Sequence, residues 1–409
     1  MSFGNSPRIA IYSQDGYGLG HLRRNSVIGQ HLLEEMPKSK VLLFADSPVA
    51  PFFQLPEGMD HIKLPSIKKV RAGKWQPTHL RIHVRHLQRM RAELLCNALQ
   101  SYRPDLVLVD HMPHGSQGEL IPALIKIKQV FPRCRLVLGL RDILDAQEVI
   151  MRVWQTEGAY DALRKYYDCI LIYGSREIFD TAQTYRISPP LQGIHYCGYV
   201  AKQVPVRFIP QGLRASGQKF VFVSAGGGAD GAFLMRNYLR AVRLLGPRAN
   251  FHTLMALGAN SPQRLSEKLI AKAQALPVEI VPYVGDSLSV IAAADLVVCM
   301  GGYNTLAEVL HLRKKALVVP RSGPSAEQRM RCALFAERGL IDVLNPEDLT
   351  AQNLAKRLLI DLARDDYPAQ DKGLETTGGK RAATCLMELM NKRVELVNKR
   401  VKKVYVAAV

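Results

Sequence analysis

Residues 8–21 read RIAIYSQDGYGLGH, and the fold class turns on them. Arg8–Ser13 is a short unbroken apolar run, and Asp15–His21 is a turn carrying Gly16, Gly18 and Gly20. From His21 to Glu35 the apolar residues take up helical spacing. Strand, glycine turn and helix together open a βαβ crossover. A strand without apolar/polar alternation is one covered on both faces, which means a parallel sheet.

The same texture continues through Lys40–Ala45 (KVLLFA), Asp105–Asp110 (DLVLVD), Arg135–Leu140 (RLVLGL) and Cys169–Tyr173 (CILIY). Residues 198–218 break it, with two prolines, three glycines and no helical period, and read as a linker. A second series then starts. Lys219–Ser224 (KFVFVS) is followed by a glycine loop and a helical stretch, Phe233–Leu245. Phe251–Ala256, Val278–Val281, Leu296–Met300 and Ala316–Val319 are its further strands. The expectation is an α/β protein of two consecutive Rossmann-like, doubly wound domains, residues 1–205 and 206–384. Residues 385–409 carry apolar positions at spacings of three and four among Lys and Arg, which predicts an amphipathic helix that either packs back on the first domain or lies on a membrane surface.

At 409 residues the chain is long for one domain and suits two. Its 55 Lys+Arg against 36 Asp+Glu give +19, which fits nucleic acid, an anionic membrane surface or phosphorylated small molecules. The seven cysteines are odd in number, form no Cys-x-x-Cys and lie mostly in apolar runs such as LVVCM. They read as reduced, buried thiols rather than a disulfide frame or a zinc site. The N-terminus has no apolar signal-peptide core, and no run approaches the ~18 apolar residues that span a bilayer. A cytoplasmic protein is expected, with any membrane contact peripheral.

Three glycine loops carry the chemistry. Asp15–His21 follows the first strand. Residues 224–231 (SAGGGADG) follow the first strand of the second half, and residues 301–305 (GGYNT) follow LVVCM and open the helical run LAEVLHL. Glycine permits close approach of backbone to phosphate, and helix N-termini offer amides to anions. Each loop alone is equally a tight turn. A dinucleotide fingerprint is imperfect, since GYGLGH has its third glycine one position early. Asp46 stands 26 residues after Gly20, so spacing leaves that reading open. No Gly-Lys-Ser/Thr follows any loop, which argues against a P-loop NTPase.

These patches together resemble the GT-B nucleotide-sugar glycosyltransferases, nearest the branch of the peptidoglycan N-acetylglucosaminyltransferases (MurG type). In that family an N-terminal glycine loop ends in His, as GYGLGH does, and the second domain opens on a Ser/Gly loop, as SAGGGADG does. A Gly-x-x-Thr/Ser-x-x-Glu segment follows, matched by Gly302–Glu308, and an acidic-Gln pair matched by Glu327-Gln328. Two departures stand out. Met300 occupies the place of the His in the related plant signature, and Leu22-Arg23-Arg24 replaces Pro-Ala after the loop histidine.

The resemblance implies metal-independent, inverting transfer from a UDP-sugar or other nucleotide-sugar to an acceptor hydroxyl, with no cofactor beyond the donor. Gly18, Gly20, Ser224, Gly226, Gly227, Gly228, Gly302, Asn304 and Thr305 would surround the donor phosphates. Glu308 would take the ribose hydroxyls, Glu327 and Gln328 the sugar hydroxyls, and Val284 the base through its backbone. His21 is the candidate general base, with Asp110 to orient it or act instead. A helix-cap histidine and a strand-end aspartate are the plainer readings of these two.

Residues 61–91 hold nine Lys/Arg and no acid. Arg81, Arg85 and Arg89 recur every fourth residue in a helical stretch from Thr78 to Tyr102, with Leu80, Val84, Leu87 and Leu94 on another face. That is a solvated basic helix or an acceptor-side surface drawn to phosphate or anionic lipid. His79, His83 and His86 lack partners for a metal site. Aromatics are not interleaved with the basic run, so nucleic acid is not expected as a partner. The alternatives are a nucleotide-sugar 2-epimerase of the same fold and a non-catalytic nucleotide or nucleic-acid binder. The transferase reading requires residues 224–231 and 302–308 to lie at the same end of one domain.

Overall fold

A computed structural model describes residues 6–15, 19–71, 74–203, 218–228, 230–369 and 374–391. The chain divides into two compact units. One comprises the residues up to Val200 and those from Thr377 onward, the other Ala201–Thr376. The crossings thus fall at 200 and 376 rather than at 205 and 384. Val200 and Thr377 pair as an isolated antiparallel bridge where the chain leaves and re-enters the first unit.

The first unit contains β1 (Arg8–Ser13), α1 (Gly20–Glu35), β2 (Lys40–Ala45), β3 (Met59–Lys63), β4 (Ile67–Arg71), β5 (Lys74–Pro77) and α2 (Val84–Tyr102). It continues with β6 (Leu106–Asp110), α3 (Ile121–Val130), β7 (Arg135–Arg141), α4 (Gln147–Glu157), α5 (Ala159–Tyr166), β8 (Cys169–Tyr173), α6 (Thr181–Thr184) and β9 (Ile194–Tyr196). Seven strands form one parallel sheet in the order β3-β2-β1-β6-β7-β8-β9. Ile9, Ala10, Ile11 and Leu106–Val109 are buried because helices cover both faces of the sheet. The order reverses between β1 and β6, and ligands of open α/β sheets bind beyond the strand ends at such a reversal. His21 follows β1 and Asp110 ends β6 at that point.

The second unit repeats the plan with β10 (Lys219–Ser224), α7 (Ala232–Leu245), β11 (Phe251–Ala256), α8 (Gln263–Ala273), β12 (Val278–Val281) and α9 (Ser287–Ala293). Then come β13 (Leu296–Cys299), α10 (Tyr303–His311), β14 (Ala316–Val318), α11 (Glu327–Glu337), β15 (Asp342–Val343) and α12 (Ala351–Ala363). Its six parallel strands run β12-β11-β10-β13-β14-β15, so the reversal lies between β10 and β13. A last helix, α13 (378–391), belongs to the first unit. The stretch 392–409 of the expected C-terminal helix and the stretch 204–217 of the expected linker lie outside the described residues.

The basic segment differs most from its sequence reading. Strands β4 and β5 within it pair antiparallel, which the basic run gave no sign of. Ile67 and Trp75 pack on Leu87 of α2. The helix starts at Val84, capped by the His83 side chain accepting from Arg85 N–H at 3.2 Å. Arg81 therefore precedes the helix and does not continue the row of Arg85 and Arg89. The buried face of α2 is Leu87, Arg91, Leu95 and Leu99, whereas Leu80 and Leu94 are exposed. Arg91 is a core residue. Its Nε and Nη2 each lie 2.6 Å from an oxygen of buried Glu119, which also accepts from Tyr12 OH at 2.6 Å.

Candidate active site

In the first unit, Asp15 closes the N-terminus of α1. Its two carboxylate oxygens accept from the backbone N–H groups of His21 (2.8 Å) and Leu22 (3.0 Å). Its own N–H donates to Asp46 at 2.8 Å. Burial and the nearby Asp46 push its pKa well above the usual carboxylate range. The helix end beside Gly20 is thus closed by a carboxyl group of the chain itself, and these two amides are already engaged. Gly18 lies outside the described residues.

The side chains of α1 converge on Asp110. His21 Nδ1 lies 2.8 Å from Asp110 Oδ2. Arg24 Nη2 lies 2.8 and 2.7 Å from the two carboxylate oxygens, and Asn25 Nδ2 donates to Oδ2 at 2.9 Å. His21, Arg24 and Asn25 stand at i, i+3 and i+4, so one helix face delivers all three. Arg24 Nη2 is also 2.9 Å from His21 Nδ1. Ionised Asp110 can only accept, so the hydrogen between it and His21 belongs to Nδ1. That leaves the lone pair on Nε2.

Burial works against ionised Asp110, but Arg24 and then His21 outweigh it and hold the carboxyl far below its usual range. Burial holds the His21 imidazole below its usual pKa, aided by Arg24 and Arg141 and opposed by Asp110. Next to it, His111 is the centre of a γ-turn with φ +73° and Met112 N–H donating to Asp110 O at 3.0 Å. Its ring centroid is 5.3 Å from that of His21. Burial and Arg141 hold it well below the usual imidazole range too. Arg24 lies over the Tyr173 ring, 5.3 Å from its centroid. A neutral imidazole backed by a fixed carboxylate can take a proton from a hydroxyl.

In the second unit the glycine loop and the start of α10 leave adjacent strands. Ser224 is in register with Cys299 across β10 and β13. Both elements therefore lie at one end, as the transferase reading required. Gly226 and Gly228 have φ of +63° and +87°, and a Cβ on Gly228 would lie 2.3 Å from Leu257 O. The loop is thus pressed backbone to backbone on the turn after β11, and Asn260 N–H donates to Gly227 O at 2.8 Å. Gly231 and Gly302 stand at the N-caps of α7 and α10. Asn304 and Thr305 occupy the first turn of α10.

Carboxylates surround this end. Buried Glu308 accepts from Ser287 Oγ at 3.0 Å, three residues after Val284 in the turn between β12 and α9. Glu327 and Gln328 open α11, both buried. Arg321 ties the site together. Its N–H donates to Gln328 Oε1 at 3.1 Å, its Nη2 to Glu327 Oε1 at 3.1 Å, and its Nη1 lies 3.4 Å from Asp230. Arg331 donates to Gly301 O at 3.0 Å and lies over the Tyr303 ring. Gly301 admits this packing, since a Cβ there would meet Cys332 Sγ at 2.5 Å.

Comparison with known proteins agrees with the geometry. Residues 220–389 match the glycosyltransferase family 28 C-terminal domain. A UDP-N-acetylglucosamine–N-acetylmuramyl-(pentapeptide) pyrophosphoryl-undecaprenol N-acetylglucosamine transferase of Paraburkholderia xenovorans is 33% identical over 133 residues, 32% of this chain and 36% of the relative. The match thus spans about a third of that relative's length. Among solved structures, MurG of Acinetobacter baumannii superposes with a TM-score of 0.57 at 12% identity, covering 95% of this chain and 99% of that one. UDP-GlcNAc 2-epimerase of Methanocaldococcus jannaschii gives 0.60 at 13%, covering 94% and 99%. The chain has the GT-B fold.

Within this GT-B chain, His21 and Asp110 meet in the first unit. Ser224, Gly226–Gly228, Gly302, Asn304, Thr305, Glu308, Glu327 and Gln328 gather in the second. Arg85 and Arg89 are exposed on α2, and Arg81 is exposed ahead of it. Sequence reading missed Arg24, Asn25, His111, Arg141, Arg321 and Arg331. The i, i+3, i+4 spacing of His21, Arg24 and Asn25 and the i, i+4 spacing of Glu327 and Arg331 were available signals. Among the described residues, no group of three or more His, Cys, Asp or Glu side chains is placed to hold a metal ion.

Proposed function

We propose that this protein is a glycosyltransferase that moves a sugar from a UDP-sugar or related donor to an acceptor hydroxyl. The observation that carries the proposal is the common end shared by the 224–231 loop, the start of α10 and the Glu308, Glu327 and Gln328 side chains. Helix-terminal amides there face the diphosphate and stabilise the negative charge that grows as the glycosidic bond breaks. Glu308 accepts the ribose hydroxyls, Glu327 and Gln328 hold the sugar, and the Val284 backbone holds the base.

In the first unit His21 Nε2 removes the acceptor proton as the acceptor oxygen bonds to the anomeric carbon. The bond to the diphosphate breaks with its electron pair, so the nucleoside diphosphate leaves and the configuration inverts. Asp110 keeps the proton on Nδ1 beforehand and stabilises the imidazolium formed. No metal has a role in this sequence, and turnover that survives chelation by EDTA supports that reading.

The relative's name places its acceptor on a pyrophosphoryl-undecaprenol lipid, and a lipid-linked acceptor is our reading here as well. No helix among the described residues is long and apolar enough to cross a membrane. Docking on an anionic membrane face therefore falls to the exposed basic and apolar residues around Leu80, Arg81, Ile82, Arg85 and Arg89. Release of UDP from a panel of UDP-sugars tests the function. A transferase releases it only with an acceptor, an epimerase converts the sugar alone, and a binding protein does neither.

A further inference from the structure

The second unit holds a cation that the proposed reaction does not use. Arg321 lies in the loop that joins the carboxyl end of β14 to α11. Its backbone N–H donates to Gln328 Oε1 at 3.1 Å, and its Nη2 donates to Glu327 Oε1 at 3.1 Å. Its Nη1 lies 3.4 Å from Asp230 Oδ2. Asp230 belongs to the glycine loop and immediately precedes Gly231, the N-cap of α7. Glu327 is the first residue of α11. The guanidinium is therefore held between the end of the glycine loop and the start of α11, at the carboxyl end of the sheet.

Both side-chain partners of that guanidinium are carboxylates. An arginine fork recognises carboxylate and phosphate oxygens by the same geometry, so Asp230 and Glu327 mark where oxyanions sit against it. Its present fit is incomplete. Arg321 Nε is buried without a hydrogen-bond partner among the described residues, which costs free energy. The side chain also keeps 29% of its surface exposed, so a ligand can reach it. Arg331 is not available in the same way. It is buried, donates to Gly301 O at 3.0 Å and lies over the Tyr303 ring. The strand end before α10 adds no charge, because Met300 is packed in the apolar core. A diphosphate that leaves without a metal needs a fixed positive charge beside it as the glycosidic bond breaks.

We propose that Arg321 is a donor-binding residue whose guanidinium exchanges Asp230 and Glu327 for the diphosphate of the nucleotide-sugar. The exchange does two things. It sets a positive charge beside the phosphate oxygen that receives the electron pair as the bond to the sugar breaks. It also releases the Glu327 carboxylate to accept from the sugar hydroxyls. Glu327 is not left without a cation, since Arg331 Nη2 stays 3.4 Å from its other oxygen. Asp230 is half-exposed, and water takes the place of the arginine there. This inference rests on the donor site being at the end of the second unit where the proposed function puts it.

The test titrates UDP by calorimetry, and uridine by ligand-observed NMR, into the full-length wild type, Arg321→Ala, Arg321→Lys and Asp230→Asn. Arg321→Ala should weaken UDP by ~10-fold or more and leave uridine unchanged, because only the diphosphate meets the guanidinium. Arg321→Lys keeps the charge without the fork and should recover part of the loss. Asp230→Asn removes a competing carboxylate and should tighten UDP by ~2–5-fold. A purely structural tie between the glycine loop and α11 gives the opposite sign, since Asp230→Asn breaks the same tie and would weaken UDP as Arg321→Ala does. Undiminished UDP affinity in Arg321→Ala, a parallel loss of uridine, or weaker UDP in Asp230→Asn overturns the role of the arginine and leaves the donor site standing. Absence of UDP binding by the wild type overturns the donor site and this inference together.

Discussion

In the proposed mechanism His21 takes a proton only while Nε2 carries none, and three neighbours see to that. Asp110 takes the Nδ1 hydrogen, and burial with Arg24 and Arg141 disfavours the imidazolium in the resting site. His21→Ala should lower transfer by ~10²–10⁴-fold with donor affinity nearly unchanged, read by UDP release and by calorimetry. Because the folded-state pKa lies below 6.5, the acid limb of the pH–rate profile for free enzyme should fall below pH 6.5. A midpoint above 7 contradicts the site as described. Asp110→Asn leaves buried Arg24 without its counter-charge, and stability should drop by ~3–5 kcal/mol in urea titration. His111 makes a second residue-scale claim. At φ +73° an L-residue is strained, so His111→Gly should be more stable than His111→Ala by ~1–2 kcal/mol. Equal stability would mean that the turn relaxes without the imidazole.

Among the elements, the glycine loop after β10 and the helix α12 give separate tests. Gly228→Ala places a Cβ against the Leu257 carbonyl at positive φ and should cost more than ~1 kcal/mol, with weakened nucleotide binding. Asp361 of α12 is fully buried opposite Asp342 and carries a pKa raised to about 7, by burial first and Asp342 second. A raised folded-state pKa means that the native state holds a proton the unfolded chain has released. Asp361 therefore stabilises most below pH 3.8, and that contribution fades as pH rises through about 7. Asp361→Asn, permanently neutral, should melt higher than wild type at pH 8, with the gap closing toward pH 5. A gap independent of pH would dismiss the shared proton.

These elements also show what the chain discloses in advance. Strands such as Ile9–Tyr12 and Leu106–Val109 are buried on both faces, so unbroken apolar runs marked them to within a residue. The hairpin β4–β5 was illegible because Ile67 and Trp75 face inward among lysines and arginines. The two-residue β15 and half-buried β9 close sheet edges and carry little apolar signal. His21 and Asp110 were legible as loop and strand-end residues at the sheet reversal. The strain at His111 and the reach of Arg321 to three partners depend on tertiary geometry that no spacing encodes.

For the whole molecule, the net charge of +19 is a property of the surface, since buried Arg24, Arg91 and Arg331 are matched by buried Asp110, Glu119 and Glu327. In the proposed membrane docking the anionic partner meets exposed Arg81, Arg85 and Arg89, the last of them paired with Glu93 at 2.9 Å. Changing all three to Glu should abolish low-salt sedimentation with phosphatidylglycerol vesicles and leave UDP binding intact. Indifference of the wild-type protein to vesicles would remove the membrane from the account. In the proposed reaction the donor falls to the second unit and the base to the first. The most direct test of that division is calorimetric titration of UDP into the wild-type protein, Glu308→Ala and His21→Ala. Binding to wild type and His21→Ala with similar affinity, and its loss in Glu308→Ala, is the predicted result. No UDP binding by the wild type, or undiminished binding by Glu308→Ala, would contradict the account.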